Sequence, residues 1–265
     1  MKVAPRGSKA QPLKEAKIAF FDIETSPIMG WTWGMYEQNV IDIKVPWHML
    51  SFAWKWQGQK KIRTYALPDY PSYKKNPEDD GALVKDLWAL FDQADILIAH
   101  NGDKFDIKKA NARFLKHGLS PPTPFKSIDT LKIARNKFAF SSNRLNDLGA
   151  HFGLGRKMPH TGWDLWKKCL SGDPKAWQTM RRYNARDVEL LESVYLKLRS
   201  WGAHPNLNAY TDHGGCPVCN SMNAQRRGWN IAMVRKTPRF QCQDCGKWFS
   251  RAEKTVVEVE RVIRG

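Results

Sequence analysis

The chain has 265 residues, with 43 Lys and Arg against 26 Asp and Glu, a formal net charge of +17. Hydrophobic residues make up 42% and aromatic residues 12%. That excludes a disordered chain and supplies core for one large domain plus a small module.

No run approaches the roughly 20 apolar residues of a membrane span. The N-terminal MKVAPRGSKAQPLKEAK also lacks the apolar stretch of a secretory signal. A cytoplasmic, reducing location without a membrane partner is therefore expected. Residues 1–16 read as a basic flexible tail. KIAFFDIE (17–24) is a short apolar run ending in acids, the pattern of a buried strand. An insertion carrying Trp31, Trp33, Tyr36 and Trp47 follows. It reads either as a hydrophobic lid or hairpin, or as a stacking platform for unpaired bases. MLSFAWKWQG (49–58) and KKIRTYAL (60–67) form a hairpin about Gly58 and Gln59.

DDGALVKDLWALFDQ (79–93) has helical apolar spacing, and ADILIAHN (94–101) is a second buried strand. DIKKANARFLKHG (106–118) is a helix stopped by Gly118. SIDTLKIARNKF begins as a strand and turns helical near Asp129, and RLNDLGAHFGL is another short helix. DPKAWQTMRRYNARDVELLESVYLKLRSWG (173–202) is a long helical region with an expected break near Asn184. Strands alternating with helices after a hairpin indicate a mixed α/β sheet covered by helices. The domain boundaries are set at 17–202, with a linker at 203–212 and a module at 213–265.

Three acidic patterns stand out. Asp22 and Glu24 lie two apart on a strand and so share a face. Alone, they fit an ordinary polar strand end. Asp106, in HNGDKFD (100–106), follows a strand and opens a helix, where ligands gather in such sheets. A first-turn Asp complementing the helix dipole is the alternative, with Asp103 free to cap instead. Tyr183 and Asp187, in YNARD, are four apart on one helix face.

Taken together, FDIET (21–25), HNGDKFD and YNARD resemble the DEDDy branch of the DnaQ-like 3′–5′ exonucleases. About 80 residues separate successive motifs, and the resemblance spans about 17–201. It implies a ribonuclease H-like mixed five-stranded sheet flanked by helices. It also implies that Asp22, Glu24, Asp106 and Asp187 hold two Mg²⁺ or Mn²⁺ ions and that Tyr183 orients the attacking water. Arg182 stands where the His branch has its histidine. Thr25, Asn101, Phe105 and Arg182 are the expected substrate contacts.

Cys216, Cys219, Cys242 and Cys245 form CPVC and CQDC pairs. Four thiolates so spaced suit one structural Zn²⁺ in a reducing compartment, and the segment resembles a zinc ribbon. His213 is an alternative ligand. The ribbon carries Arg226, Arg227, Arg235, Lys236, Arg239, Lys247 and Arg251 with Trp229, Phe240, Trp248 and Phe249. That mixture suits nucleic acid, and protein docking stays open. Cys169 reads as an ordinary buried thiol, and His151 and His160 as structural or peripheral to substrate. The sequence leaves 251–265 undecided between strand and helix.

Residues 104–186 hold 18 basic and 5 acidic residues, +13 of the total +17. Such a surplus with interleaved aromatics points to a phosphate-tracking groove. The resulting expectation is a 3′–5′ exonuclease acting on single-stranded or 3′-ended nucleic acid. DNA is favoured over RNA, and a replication or repair protein is an expected partner. A structure-specific endonuclease and a non-catalytic zinc-ribbon binding protein are the alternatives. The sequence does not set the oligomeric state.

Overall fold

The computed structural model describes residues 15–36, 38–158, 162–209, 214–231, 233 and 236–250. The basic tail up to residue 14, the 251–265 segment with Arg251, and His160, His213 and Arg235 lie outside the described residues. The chain divides into two compact units between Ala203 and His204.

In the larger unit, β1 (Ile18–Thr25) is the central strand, and Ile18–Phe21 and Ile23 are all buried. An unbroken apolar run of this kind belongs to a strand covered on both faces. A short exposed hairpin follows, β2 (Met29–Trp31) against β3 (Asp42–Val45). Gly30 is required there, because a Cβ would meet the Asp42 carbonyl oxygen at 2.5 Å. The insertion is thus a hairpin, and its tip exposes Trp33 and Tyr36. Trp47 lies apart from the hairpin, under the Lys109 ammonium at 3.7 Å. Next come β4 (Met49–Trp56) and β5 (Arg63–Ala66), the expected hairpin, and two short 3-10 turns at Leu67–Asp69 and Pro71–Lys74.

Then α1 (Gly81–Gln93), β6 (Ile96–Ala99), α2 (Asp106–Lys116), β7 (Lys126–Asp129) and α3 (Thr130–Lys137) alternate. The unit ends with α4 (Leu145–His151), α5 (Trp163–Leu170) and α6 (Pro174–Leu198). The sheet order is β5-β4-β1-β6-β7. β4 runs antiparallel to β1 and β5, whereas β6 is parallel to β1 and β7. This is the mixed five-stranded sheet flanked by helices that was expected. Phe91 of α1 packs edge-on against Phe21, Phe114 and Phe125, locking β1 to both helices of that layer. The Asp80 carboxylate, fully buried, accepts from Met49 N–H at 2.8 Å and pairs with Arg113 and His117, tying β4 to α2.

Two local expectations are corrected, and one helix had not been expected. The break near Asn184 is absent: α6 runs uninterrupted through it. Asp173 caps that helix by accepting from the Lys175 and Ala176 amides, with Pro174 at the first position. Asp103 does not cap α2. It binds Ser127 and Lys132, and Phe105 occupies the cap position without a side-chain bond. Asp129 instead collects the Asn101 and Asp103 amides while capping α3. Helix α5 has no counterpart in the sequence reading. Cys169 on it is fully buried, and His151 packs edge-on to Phe140 and Phe152, a structural role.

The second unit contains a 3-10 turn at Leu207–Ala209 and a three-stranded antiparallel sheet in the order β10-β9-β8. Its strands are β8 (Ala224–Ile231), β9 (Lys236–Cys242) and β10 (Trp248–Ser250). Strands β8 and β9 pair antiparallel from Ala224 against Cys242 to Ile231 against Lys236. Among the described residues, Cys216, Val218 and Cys242 form the unit's buried hydrophobic cluster, with Phe249 packed against them.

Candidate active site

Alternation along β1 places Asp22 and Glu24 on the face covered by α6. On α6, residues at spacings of three and four share a stripe. Tyr183, Asn184 and Asp187 are all buried there. Oxygen atoms of Asp22, Glu24 and Asp187 lie within 4.8 Å of one another. Asn184 donates to Asp22 Oδ2 at 2.6 Å and to the Asp22 carbonyl at 3.2 Å, while Ser51 donates to Asn184 Oδ1 at 3.3 Å. Strand β4 thus holds the amide that holds the acid. Asp106 stands outside the tight group, and its Oδ1 accepts from the Ile23 amide at 3.2 Å.

The electrostatics follow from crowding like charges away from water. Burial and then Glu24, Asp187 and Asp106 hold the Asp22 carboxyl well above the usual range. Burial and Asp187 push Glu24 up to about 8. Burial carries Asp106 up to about 7, with Asp129 adding to it and the Ile23 amide opposing. Lys157 answers this field. Its ammonium donates to Asp187 Oδ2 at 2.5 Å and to Tyr183 Oη at 3.2 Å. Burial alone would lower its pKa, but Asp187, Tyr183 and Asp22 carry it above the usual lysine range. Tyr183 is raised too, by burial and then Asp187, so its hydroxyl stays protonated. Trp166 of α5 donates to the Thr25 carbonyl at 3.2 Å and lies edge-on to the Tyr183 ring.

The sequence reading had placed none of Lys157, Asn184 and Trp166 beside the acids. Asn184 carried a usable signal, lying beside Tyr183 and three residues from Asp187 on one helix. Lys157 and Trp166 carried none, because their contacts span 26–30 and 141 positions. Of the expected substrate contacts, Thr25 ends β1, Asn101 sits at φ 68° with its amide bound by Asp129, and Phe105 precedes Asp106 and is 38% exposed. Arg182 is exposed on α6, about 100° around the helix from Tyr183, and among the described residues it forms no ion pair.

Three clustered carboxylates whose charge lacks an equal counter-charge are the donor set of a hard divalent cation. The residues fit such an ion. In the smaller unit the Cys216–Cys245 and Cys219–Cys242 sulfur pairs are each 3.6 Å apart, and all four sulfurs lie within 4.8 Å. A tetrahedron of roughly 2.3 Å metal–sulfur bonds sets sulfurs about 3.8 Å apart. Four cysteines so placed are compatible with a zinc ribbon.

A stretch of 71 residues is 45% identical to DNA polymerase III PolC-type of Ureaplasma parvum serovar 3, covering 26% of this chain and 5% of that protein. The chain thus spans only a small part of that relative. A family B DNA polymerase from the hyperthermophilic archaeon Pyrobaculum calidifontis superposes with a TM-score of 0.49 at 14% identity, over 71% of this chain and 26% of that one. Residues 19–199, from β1 to the end of α6, match the RNase H superfamily, and the chain belongs to it.

Proposed function

We propose that this protein is a metal-dependent 3′–5′ exonuclease of the tyrosine-bearing type. The observation that carries the reading is the convergence of Asp22, Glu24 and Asp187 beside a buried, protonated Tyr183. Asp22, Glu24 and Asp187 would hold two Mg²⁺ or Mn²⁺ ions, with Asp106 alongside. Ions bound there would acidify the attacking water and offset charge on the leaving oxygen. The chain's own residues prepare the rest. The Tyr183 hydroxyl orients a water rather than removing its proton, since its pKa is raised. Asn184 fixes the Asp22 rotamer, and the Ile23 amide fixes Asp106. Trp166 pins the end of β1. DNA is the favoured substrate, because the 45%-identical stretch belongs to a DNA polymerase III.

In the smaller unit, Cys216, Cys219, Cys242 and Cys245 would hold one Zn²⁺. Arg226 and Lys236 stack on Trp229 and Arg239 on Trp248, a basic aromatic surface suited to aiding nucleic-acid binding. The test uses 5′-labelled single-stranded DNA and RNA with Mg²⁺, Mn²⁺ or EDTA, beside Asp22→Ala. The expected result is a metal-dependent ladder shortening from the 3′ end, on DNA at least, and absent in the variant. Cleavage of a circular strand would point to an endonuclease instead. Salt-sensitive binding without cleavage would leave a binding protein.

A further inference from the structure

A second concavity adjoins the acids. It has a volume of about 610 Å³ and lies between the end of α3, the loop before α4 and the turn carrying Lys157. Arg135, Arg144 and Lys157 line it together with Asn101, Asn143 and Asn146, and no acid is among its lining residues. Lys157 belongs to both places: its ammonium reaches Asp187, and the residue also lines this cavity. Arg135 and Arg144 form no ion pair among the described residues. Both are exposed, so neither guanidinium has been used to stabilise the fold.

The walls are held in place. His100 bridges Thr130 Oγ1 at 2.8 Å and the Asn143 carbonyl at 3.0 Å, fixing the loop to β6 and α3. Asn146 Oδ1 accepts from the Lys157 amide at 3.0 Å, fixing the turn to α4. The nearby Asp147 is engaged by Ser142 and Asn146. One end of the Asn143 amide is buried with no partner among the described residues. Rotation of that amide can present it as donor or acceptor. A rigid, polar, cationic cavity with a spare amide suits a phosphodiester, not an apolar ligand.

We infer that this cavity seats the backbone phosphates of the substrate strand immediately 5′ of the scissile bond, with Arg135 and Arg144 as the clamping residues. The inference rests on the nuclease reading above for the position of the scissile bond. A strand shortened from its 3′ end keeps its remaining phosphates on the 5′ side. Lys157 marks where the acid site passes into this cavity.

The test pairs Arg135→Ala/Arg144→Ala with a control double variant, Lys60→Ala/Lys61→Ala, which removes the same charge from an exposed turn. Binding of a single-stranded oligonucleotide in EDTA should lose about 1.4 from the slope of log K against log salt, two phosphates at roughly 0.7 each. KM for the oligonucleotide should rise about tenfold with kcat little changed. Hydrolysis of thymidine 5′-p-nitrophenyl phosphate, which has no upstream phosphate, should be unaffected. Arg135→Lys/Arg144→Lys should restore the slope, which a merely structural role would not predict. A slope and KM matching those of the control variant would overturn the inference. Wild-type protein that cleaves neither substrate would sink the nuclease reading, and the slope in EDTA would still decide whether the cavity holds phosphates.

Discussion

Two clusters of side chains that could hold a metal ion occupy this chain, and they stand in opposite relation to their surroundings. The acids sit in a unit whose core would exist without them. Phe21, Phe91, Phe114 and their neighbours bury the sheet, and the carboxylates are a cost imposed on it. The four cysteines sit in a unit whose hydrophobic cluster is largely themselves: among the described residues two of its three buried members are cysteines. One site is tolerated by a fold and the other supplies one. The comparison teaches that removing a cation should mean loss of activity in the larger unit and loss of structure in the smaller.

The largest expected effect tests the second half of that statement. A zinc chelator, or Cys242→Ala, should unfold the β8–β10 sheet while the larger unit keeps its melting transition. Binding of Zn²⁺ to such sites is worth roughly 10–16 kcal/mol, nearly all of it folding energy in a small module. Limited proteolysis with and without chelator reads it directly. Survival of the β8–β10 strand signals after chelation would break the comparison.

The first half is sharpened by Tyr183→Phe. It removes one hydroxyl from α6 and should lower kcat by about 10²–10⁴ if the water-positioning role holds. Melting should change little, since the ring and its contact with Trp166 remain. Equal losses in kcat and in thermal stability would show a structural tyrosine instead.

Asp80→Ala probes the same unit away from the acids. It leaves Arg113, itself buried, without its counter-charge. Loss of one partner of a buried pair costs about 3–5 kcal/mol. Chemical denaturation should show that loss, with turnover of the remaining folded protein close to wild type.

The smallest effect has an unusual sign. Glu24 and Asp106 have folded pKa values of about 8 and about 7, above the ordinary carboxylate values. The folded state therefore binds more protons between about pH 4 and 8, and these groups destabilise it progressively as pH rises through that window. In EDTA, Asp22→Asn should raise the melting temperature at pH 8 and flatten the fall in stability between pH 6 and 8. A variant that melts lower at pH 8 would show that Asn184 needs the Asp22 charge more than the fold is hurt by it.

What the sequence could tell was what lies close along it. DxE on a strand, Asp106 after a strand and YxxxD on a helix are short patterns whose geometry follows from strand and helix periods. The expected break at Asn184 failed for a related reason. Arg181 to Asp187 is polar enough to look like a solvent-facing interruption, yet Asn184 and Asp187 are fully or nearly fully buried. Their face is polar because it meets Asp22 and Lys157, not water. Lys157 itself sits in a glycine-rich turn with no periodicity to betray it, and only folding brings it to Asp187. Helix α5 was hidden by the polar GRKMPHTG stretch before it. Asp103 was unavailable to cap α2 because Ser127 and Lys132, brought beside it only by the fold, take both its oxygens.

The unbroken α6 has a consequence for how this chain can vary. Tyr183, Asn184 and Asp187 are fixed to one rod, so they share a single rotational phase. Deleting one residue anywhere between Asp173 and Tyr183 would turn everything beyond it by about 100° relative to the anchored N-terminal turn. Either the tyrosine and aspartate would leave the carboxylates together, or the capped first turn would tear from its seat. Loop lengths around the sheet can drift by several residues at little cost, but the length of that rod is in effect quantised.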